Sequence, residues 1–231
     1  MGAAGFFVTG SASAGGLTRA ACALVGALRA ENIDVGAMIP IETGAAGPGP
    51  RARDVLGRAA GGGDAPQDVC PCVLPLPASP RVAAGSAARN IDLDEIECAF
   101  DRIAAGRAAV VVQAWGGLLD PIDPGLCAAD LAVRLGLPLV LAEVGSPGLL
   151  GRWALVCEAA AARSLEVAGG LVELPDRTGL SEAEATGLEA ELEALRADLG
   201  PRFLGTLPAD TAEVGPSEAD LEVSSLLERL R

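Results

Sequence analysis

The N-terminal segment, residues 5–43, constrains the fold more than any other part of the chain. It begins with the apolar run Phe6-Phe7-Val8-Thr9-Gly10, which predicts a buried parallel strand. A loop of small residues then leads into a helix over 18–30 that is rich in Ala and Leu. A strand, a glycine-rich loop and a helix in this order can cradle phosphate, because backbone N–H groups and the helix N-terminus both point at the ligand. The segment therefore predicts an α/β fold with a nucleotide-type loop after its first strand.

The cradle lacks the cation that such loops carry. In a working P-loop, a Lys precedes the hydroxyl residue and contacts the outer phosphates, but here Leu17 precedes Thr18. All 17 basic residues of the chain are Arg, and it contains no Lys, His or Tyr. No Lys from elsewhere can therefore replace the missing one, and His bases and His metal ligands are excluded. Arg19 is a poor substitute, because it lies about 200° around the helix from Leu17.

Composition limits the class of protein and of partner. A chain of 231 residues is long enough for one α/β domain with a proper core, and we expect a single domain over 1–231. The net charge of −14 argues against nucleic acid or an anionic membrane as a partner and leaves a small-molecule ligand. The six scattered Cys residues indicate reduced thiols in a cytoplasmic protein. We also expect no signal peptide and no membrane span.

Along the chain, predicted strands alternate with predicted helices. The strands are expected at 6–10, 34–38, 108–113, 137–143, 166–174 and 203–205, with an edge strand or extended segment at 69–76. The helices are expected at 18–30, 51–60, 92–106, 125–135, 149–163, 181–199 and 217–231, with a capping box at Ser181 and Glu184. Loops are expected at 41–44 and after Ser79, and a glycine turn at 114–117 is expected at the carboxyl edge of the sheet. This alternation predicts a doubly wound, mostly parallel sheet in one P-loop NTPase-like domain.

The chain resembles the dethiobiotin synthetase family along nearly its whole length. The family begins with an aromatic-rich strand followed by Val-Thr-Gly, a loop, Gly-Lys-Thr, and later Lys-Pro-Val-x-[Ser/Thr]-Gly. The matching segments here are Phe7-Val8-Thr9-Gly10, Gly16-Leu17-Thr18 and Ile39-Pro40-Ile41-Glu42-Thr43-Gly44. Later matches are Asp54, Ser79-Pro80-Arg81, Val112-Gln113-Ala114-Trp115-Gly116-Gly117, Leu137-Pro138-Leu139-Val140-Leu141 and Leu204-Gly205-Thr206-Leu207-Pro208. Each motif is weak alone, but together they specify the family.

The resemblance implies an activity, cofactors and a set of site residues. Family members use ATP and magnesium to phosphorylate a carbamate, formed from 7,8-diaminononanoate and carbon dioxide, before an ureido ring closes in biotin synthesis. The positions implied for ATP are Gly10, Ser11, Ser13, Gly16, Thr18, Glu173 and Pro208. Those implied for the substrate are Thr43, Ser79, Gly116 and Gly117, and those for magnesium are Thr18, Asp54 and Gln113. The resemblance also implies a homodimer whose substrate site is completed across the interface.

Most departures from the family pattern remove charge that the chemistry uses. Leu17 and Ile39 stand where the family has its two active-site lysines, and Gln113 stands for a metal-side Glu. Ala14 replaces an acidic loop residue, and Glu173 stands where the family has an adenine-side Asn. Phosphoryl transfer gathers negative charge and needs fixed cations and a metal. We therefore expect a catalytically impaired member, with no confident catalytic residue and weak ATP and magnesium binding.

The retained residues also admit structural interpretations. Gly10 and Gly16 suit a tight strand-to-helix turn without any ligand, and Thr18 can simply cap its helix. Asp54, in an Arg-rich run, is typical of a solvated surface charge. Trp115 either fills the space of a substrate or packs on the sheet.

Three hypotheses for function stay open at this point. The first is a degenerate enzyme that acts as a regulatory or scaffold partner. The second is a working synthetase in which Arg51, Arg53 or Arg81 replaces the lysines, which clustered arginines at the mouth of the sheet would favour. The third is a binding module for a ligand other than a nucleotide, which an apolar mouth formed by Leu17, Ile39 and Trp115 would favour.

Overall fold

A computed structural model describes residues 4–11, 16–45, 50–176, 180–208 and 221–230. Its centre is a six-stranded sheet in the order β10-β9-β8-β1-β5-β2, in which every neighbouring pair is parallel. These strands are β1 (Gly5–Gly10), β2 (Val35–Met38), β5 (Ala109–Gly117), β8 (Leu139–Val144), β9 (Val167–Glu173) and β10 (Phe203–Leu207). The predicted doubly wound, mostly parallel sheet is confirmed.

Helices cover both faces of the sheet. They are α1 (Leu17–Ala30), α2 (Ala52–Ala59), α3 (Pro66–Val69), α4 (Pro80–Ser86), α5 (Leu93–Ala104), α6 (Ala128–Leu135), α7 (Leu149–Ala161), α8 (Glu182–Leu199) and α9 (Ser224–Leu227). The central strand β1 sends Phe6 and Val8 into one apolar cluster and Phe7 into the other. This alternation follows from the two-residue period of a strand, and it buries β1 on both faces. We call the cluster that contains α1 the α1-side cluster and the one that contains α5, α6 and α7 the α5-side cluster.

Two small sheets lie beside the main one. β3 (Ile41–Glu42) pairs in parallel with β4 (Cys72–Val73), and β6 (Pro121–Asp123) forms an antiparallel hairpin with β7 (Leu126–Cys127). The loop predicted at 41–44 is therefore wrong at its start, because Ile41 and Glu42 find a partner strand 31 residues further along. Local sequence gives no sign of that pairing.

The glycine turn predicted at 114–117 is also wrong. β5 continues as a strand through Gly117, which pairs with Gly10 at the end of β1. The Thr9 hydroxyl donates a hydrogen bond to the Gly116 carbonyl at 3.0 Å, and Leu118 N donates to the Gly10 carbonyl at 2.9 Å. These bonds to β1 hold the glycine-containing segment extended.

Three further differences between prediction and structure concern the starts and ends of helices. Pro80 occupies the first turn of α4, a position that suits its fixed φ, so the segment after Ser79 is helical and not a loop. The predicted strand at 69–76 shrinks to Cys72–Val73, because Val69 ends α3. The helix predicted from 125 starts at Ala128, after the hairpin.

Two predicted helices lie in the C-terminal region, at 181–199 and 217–231. The capping box of α8 is confirmed, since Ser181 Oγ accepts from Glu184 N and Glu184 Oε2 accepts from Ser181 N. The helix predicted at 217–231 is confined, within residues 221–230, to Ser224–Leu227, and the rest of that prediction lies outside the described residues. No helix in the described part of the chain is long and apolar enough to cross a membrane.

Candidate functional site

The carboxyl ends of β1, β8 and β9 meet the first turn of α1, which is where α/β proteins place ligands. Gly16 is the N-cap of α1, with no side-chain capping bond and no acidic residue in the first turn. Ser13 and Ala14, which the sequence placed in the loop, lie outside the described residues. The site is therefore built from Gly10, Ser11 and α1 on one side and from strands β8 and β9 on the other.

Leu17 is a core residue at the phosphate-facing position of the motif. Its side chain is only 4% exposed and belongs to the α1-side cluster. Burying a Leu in this way stabilises the fold by about 1.5–3 kcal/mol, but it offers a phosphate no charge. Gly16 and Leu17 thus keep the shape of the motif's end without its electrostatics.

A buried carboxylate occupies the end of β1. Glu143, 4% exposed on β8, accepts a hydrogen bond from the Ser11 backbone N–H at 2.5 Å and another from Ser11 Oγ at 2.8 Å. The Arg152 Nε lies 3.6 Å from the same carboxylate, while its Nη2 donates to the Val144 carbonyl at 2.8 Å. The first N–H of the loop is therefore already bound to an anion that belongs to the protein.

A second carboxylate lies against the N-terminus of α1. A Cβ added to Gly16 would lie 1.6 Å from Glu173 Oε2, so the carboxylate contacts the Gly16 backbone directly. Arg19 Nη1 pairs with Glu173 Oε1, and Arg19 Nη2 donates to the Pro208 carbonyl at 2.7 Å. Three residues that the sequence placed near ATP (Gly16, Glu173 and Pro208) are thus brought together, and Arg19 joins them.

These contacts leave little room. The cavity between α1 and the ends of β8 and β9 measures about 10 Å³, which is about the least that holds one water molecule. Its walls are Gly16, Leu17, Ala20, Ala142, Glu143, Val144, Leu171 and Glu173. This cavity between the described residues is too small for a phosphate group.

Two of the three residues implied for magnesium, Gln113 and Thr18, contact each other as neutral side chains. Gln113 Nε2 donates to Thr18 Oγ1 at 3.0 Å, and Gln113, only 5% exposed, keeps its Oε1 without a hydrogen-bond partner among the described residues. Asp54 is exposed in the first turn of α2, and its carboxylate lies 3.8 Å from Arg53 Nε. Among the described residues no group of three or more His, Cys, Asp or Glu side chains could hold a metal. Because Mg²⁺ favours carboxylate oxygens, this arrangement does not fit a magnesium site.

The substrate-side residues belong to different elements. Gly116 and Gly117 are buried in β5, and the Gly117 N–H donates to Asp120 Oδ2 at 3.2 Å. Thr43 follows β3, and Ser79 is the N-cap of α4; both are partly exposed. No hydrogen bond between described residues joins these two side chains to the glycines.

Ile39 and Trp115 do not form a common mouth with Leu17. Ile39 is 1% exposed and belongs to the α1-side cluster, as Leu17 does. Trp115 packs against the α5-side cluster, and its Nε1 is buried without a hydrogen-bond partner among the described residues. The shared apolar mouth that would favour a binding module is therefore not present.

The structure also places a polar group that sequence analysis missed. Glu42, buried on β3, accepts from Arg53 Nη1 at 3.0 Å. Burial raises the pKa of the neighbouring Cys70 thiol to about 12, and the nearby Glu42 charge acts in the same direction. Arg53 is thus engaged with Glu42. For Glu143 the sequence did hold a signal, because it is the charged last residue of the predicted buried strand 137–143.

Comparison with solved structures identifies the class of fold. The structure is similar to a putative plasmid partition protein from Borrelia burgdorferi B31 bound to AMPPNP, with a TM-score of 0.54 and 11% identity over 99% of this chain and 98% of that one. It is also similar to the MinD cell division protein of Aquifex aeolicus, with a TM-score of 0.51 and 12% identity over 99% and 96%. At these identities the likeness shows the fold alone, which is that of the P-loop NTPases.

Sequence comparison narrows the class to a family. A family model described as an AAA domain matches residues 4–217. An ATP-dependent dethiobiotin synthetase of Anaeromyxobacter dehalogenans (strain 2CP-C) is 36% identical over 80% of this chain and 82% of its own length. Another, from Ralstonia nicotianae (strain ATCC BAA-1114 / GMI1000), is 34% identical over 93% and 94%. The chain belongs to the dethiobiotin synthetase family.

Proposed function

We propose that this chain is a non-catalytic member of its family, which keeps the fold as a regulatory or scaffold partner and does not close the ureido ring. The observation that carries the proposal is the phosphate-facing turn of α1. There, an apolar Leu17 is buried, and the charged groups that line the same small cavity are the carboxylates of Glu143 and Glu173. Transfer of a phosphoryl group accumulates negative charge, so two fixed carboxylates beside this turn, without the lysines, oppose both binding and turnover.

The arginines considered as substitutes do not supply the missing charge at this turn. Arg53 is engaged with Glu42, and Arg19 with Glu173. Arg81 is exposed on α4, and Arg51 precedes α2 as its N-cap. A guanidinium already paired with a carboxylate has little charge left for a phosphate, and this favours the non-catalytic interpretation over a synthetase that uses arginines.

The proposal also covers localisation, oligomeric state and ligand binding. We expect a cytoplasmic homodimer with a small-molecule ligand, as the family resemblance implies. Binding of Mg-ATP is expected to be weak. Charge-assisted bonds to phosphate contribute ~1.5–3 kcal/mol each, so losing two lysines lowers affinity by a factor on the order of a hundred or more.

The test compares this chain with the Ralstonia nicotianae relative under one set of conditions. Dethiobiotin formation is measured with 7,8-diaminononanoate, bicarbonate, ATP and magnesium, and Mg-ATP binding is measured by calorimetry. We expect no product from this chain and an affinity at least a hundredfold lower than that of the relative. Turnover within tenfold of the relative, or micromolar affinity for Mg-ATP, would refute the proposal.

A further inference from the structure

Four side chains at the end of β1 and the start of α1 form a group that we call the closing cluster: Ser11, Arg19, Glu143 and Glu173. Every member contacts another across the site. Glu143 binds the N–H and hydroxyl of Ser11, and Glu173 binds Arg19. The sheet supplies both carboxylates from the ends of adjacent strands, β8 and β9.

Glu173 supplies the negative charge that α1 lacks. The first turn of α1 contains no acidic residue, and its N-cap, Gly16, makes no side-chain capping bond. A helix N-terminus favours an anion, because its first N–H groups carry partial positive charge. The Glu173 carboxylate lies directly against Gly16, so an anion is already present at this end of the helix.

Arg19 holds that anion in place. Its two terminal nitrogens reach Glu173 and the Pro208 carbonyl, which ties the end of β9 to the segment after β10. The Arg19 and Glu173 side chains are only 12% and 16% exposed, so solvent screens the pair weakly. A carboxylate fixed in this way cannot easily swing out to admit a competing anion.

Within the described part of the chain, Gln113 leaves a buried hydrogen-bond acceptor unsatisfied beside this turn. Its amide nitrogen is bonded to Thr18 in the same first turn, but its buried Oε1 has no partner among the described residues. An orphaned buried acceptor is costly. The turn therefore presents this unsatisfied acceptor oxygen beside the Thr18 hydroxyl, and an acceptor, like a carboxylate, does not attract an anion.

We propose that Glu173 is an internal anion that closes the α1 end of the site and excludes external polyphosphates. This inference rests on the proposed function and explains how the site rejects nucleotides. Two cations are missing, and a fixed carboxylate of the protein occupies the position where the negative charge of a ligand would lie. Glu173 is thereby a specificity-determining residue that acts by occupying the anion position at the N-terminus of α1, which an external phosphate would otherwise take.

The experiment measures binding of inorganic pyrophosphate, without metal, to the full chain and to three variants. Glu173→Gln keeps the shape and removes the charge, so it should bind pyrophosphate at least tenfold more tightly than the unaltered chain. Glu173→Asp retracts the charge by one methylene and should show a smaller gain. Arg19→Gln leaves Glu173 unneutralised and should show no gain.

The matched control is Glu166→Gln, because Glu166 is likewise paired with an arginine, Arg229, at 2.6 Å, but precedes β9 at the opposite edge of the sheet. It should bind pyrophosphate no better than the unaltered chain. Circular dichroism establishes that each variant is folded. If Glu173→Gln fails to fold, the smaller gain of Glu173→Asp decides the matter.

Folded Glu173 variants that bind pyrophosphate no more tightly than the unaltered chain would overturn the inference. An equal gain from Arg19→Gln would overturn it as well, since loosening of the structure would then explain the effect. The proposed function is judged separately, by product formation in the unaltered chain. An active unaltered chain refutes that function, while an inactive one with unresponsive Glu173 variants refutes only the inference.

Discussion

Leu17 shows how one substitution can preserve a motif's shape and remove its chemistry. It packs in the α1-side cluster with almost no exposure, beside Glu143 and Glu173. A lysine here would lose apolar burial, yet its ammonium would meet two carboxylates. Restoring the family residues therefore changes charge more than shape.

In a Glu173→Gln background, which opens the α1 end of the site, we predict that Leu17→Lys, Ile39→Lys and Gln113→Glu together restore Mg-ATP binding more readily than turnover. Affinity depends on one loop, whereas turnover needs carbamate, metal and γ-phosphate aligned together, and small misplacements cost large factors in rate. Calorimetry and a dethiobiotin assay measure the two separately. In the same background, the control combines Leu17→Met and Ile39→Met, which conserve volume without charge and should bind no better. Full synthetase activity, or no gain in affinity, would contradict this expectation.

Two buried thiols make stability depend on alkaline pH. Burial raises the pKa of Cys22 to about 11 and that of Cys70 to about 12, from 9.0 for an unperturbed thiol. Between these values the unfolded chain loses the thiol protons while the folded chain keeps them. The free energy of unfolding should therefore fall from pH 9 toward pH 11, by up to ~1.4 kcal/mol per pH unit for each thiol.

Denaturant titrations at pH 7, 9, 10 and 10.5 measure this slope. Cys70→Ala should make it shallower, because one buried thiol is gone, whereas Cys98→Ala should not, because Cys98 is exposed. The same slope in Cys70→Ala as in the unaltered chain would show that the buried thiol does not contribute.

Among the elements, β9 depends on a glycine for its contact with α7. A Cβ added at Gly170 would lie 1.9 Å from Trp153 Cη2, so the indole packs directly on the strand backbone. A Cβ added at Gly187, in α8, would have no neighbouring heavy atom of the described residues within 4 Å. The two glycines therefore differ sharply in what they tolerate.

We predict opposite effects of alanine at these glycines. Gly170→Ala should lower the free energy of unfolding by about 1–3 kcal/mol through overpacking against Trp153. Gly187→Ala should raise it by about 0.5–1 kcal/mol, because alanine is the better helix former. Urea unfolding compares both with the unaltered chain. A neutral Gly170→Ala would mean that Trp153 can move aside without cost.

The sequence predicted the main strands and long helices because hydrophobic period and capping residues are local signals. β1, β5 and α8 illustrate this, since their apolar runs or capping residues identify them without tertiary information. Contacts between distant segments were not predictable. The pairing of Ile41 with Cys72, the extension of β5 alongside Gly10, and the ion pair of Arg19 with Glu173 each join residues far apart in the chain. Glu173 was identified as a site residue through resemblance, but its role against Gly16 required the fold.

At the scale of the whole molecule, exposed apolar side chains gather near the β6–β7 hairpin. Leu119 and Leu126 lie in this region, and Val82 is exposed on α4, which contacts β6. Leu155, on α7, is a further strongly exposed apolar residue, at 71%. Exposed apolar residues on elements that contact each other are a better candidate for an interface than a single exposed residue.

We predict a homodimer that uses the hairpin and α4. Light scattering at micromolar concentration should return twice the 23.0 kDa chain mass. Leu119→Asp together with Val82→Asp should shift the mass toward the monomer, because charges are depleted in interface cores. Leu155→Asp is the matched control and should leave the dimer intact. A monomer mass for the unaltered chain would refute the prediction.

The position of Trp115 gives the molecule a built-in optical reporter. The chain contains two tryptophans and no tyrosine, so its indole fluorescence, which is readily excited apart from that of phenylalanine, comes from Trp115 and Trp153. Trp153 lies on α7 against Gly170, and Trp153→Phe would leave a single indole, located on β5 two residues beyond Gln113. Because that indole N–H is buried without a partner among the described residues, any molecule that enters and hydrogen-bonds to it will shift the emission maximum. A fluorimeter can therefore screen chemically diverse ligands for the carboxyl edge of this sheet without attaching a label to the protein or to the ligand.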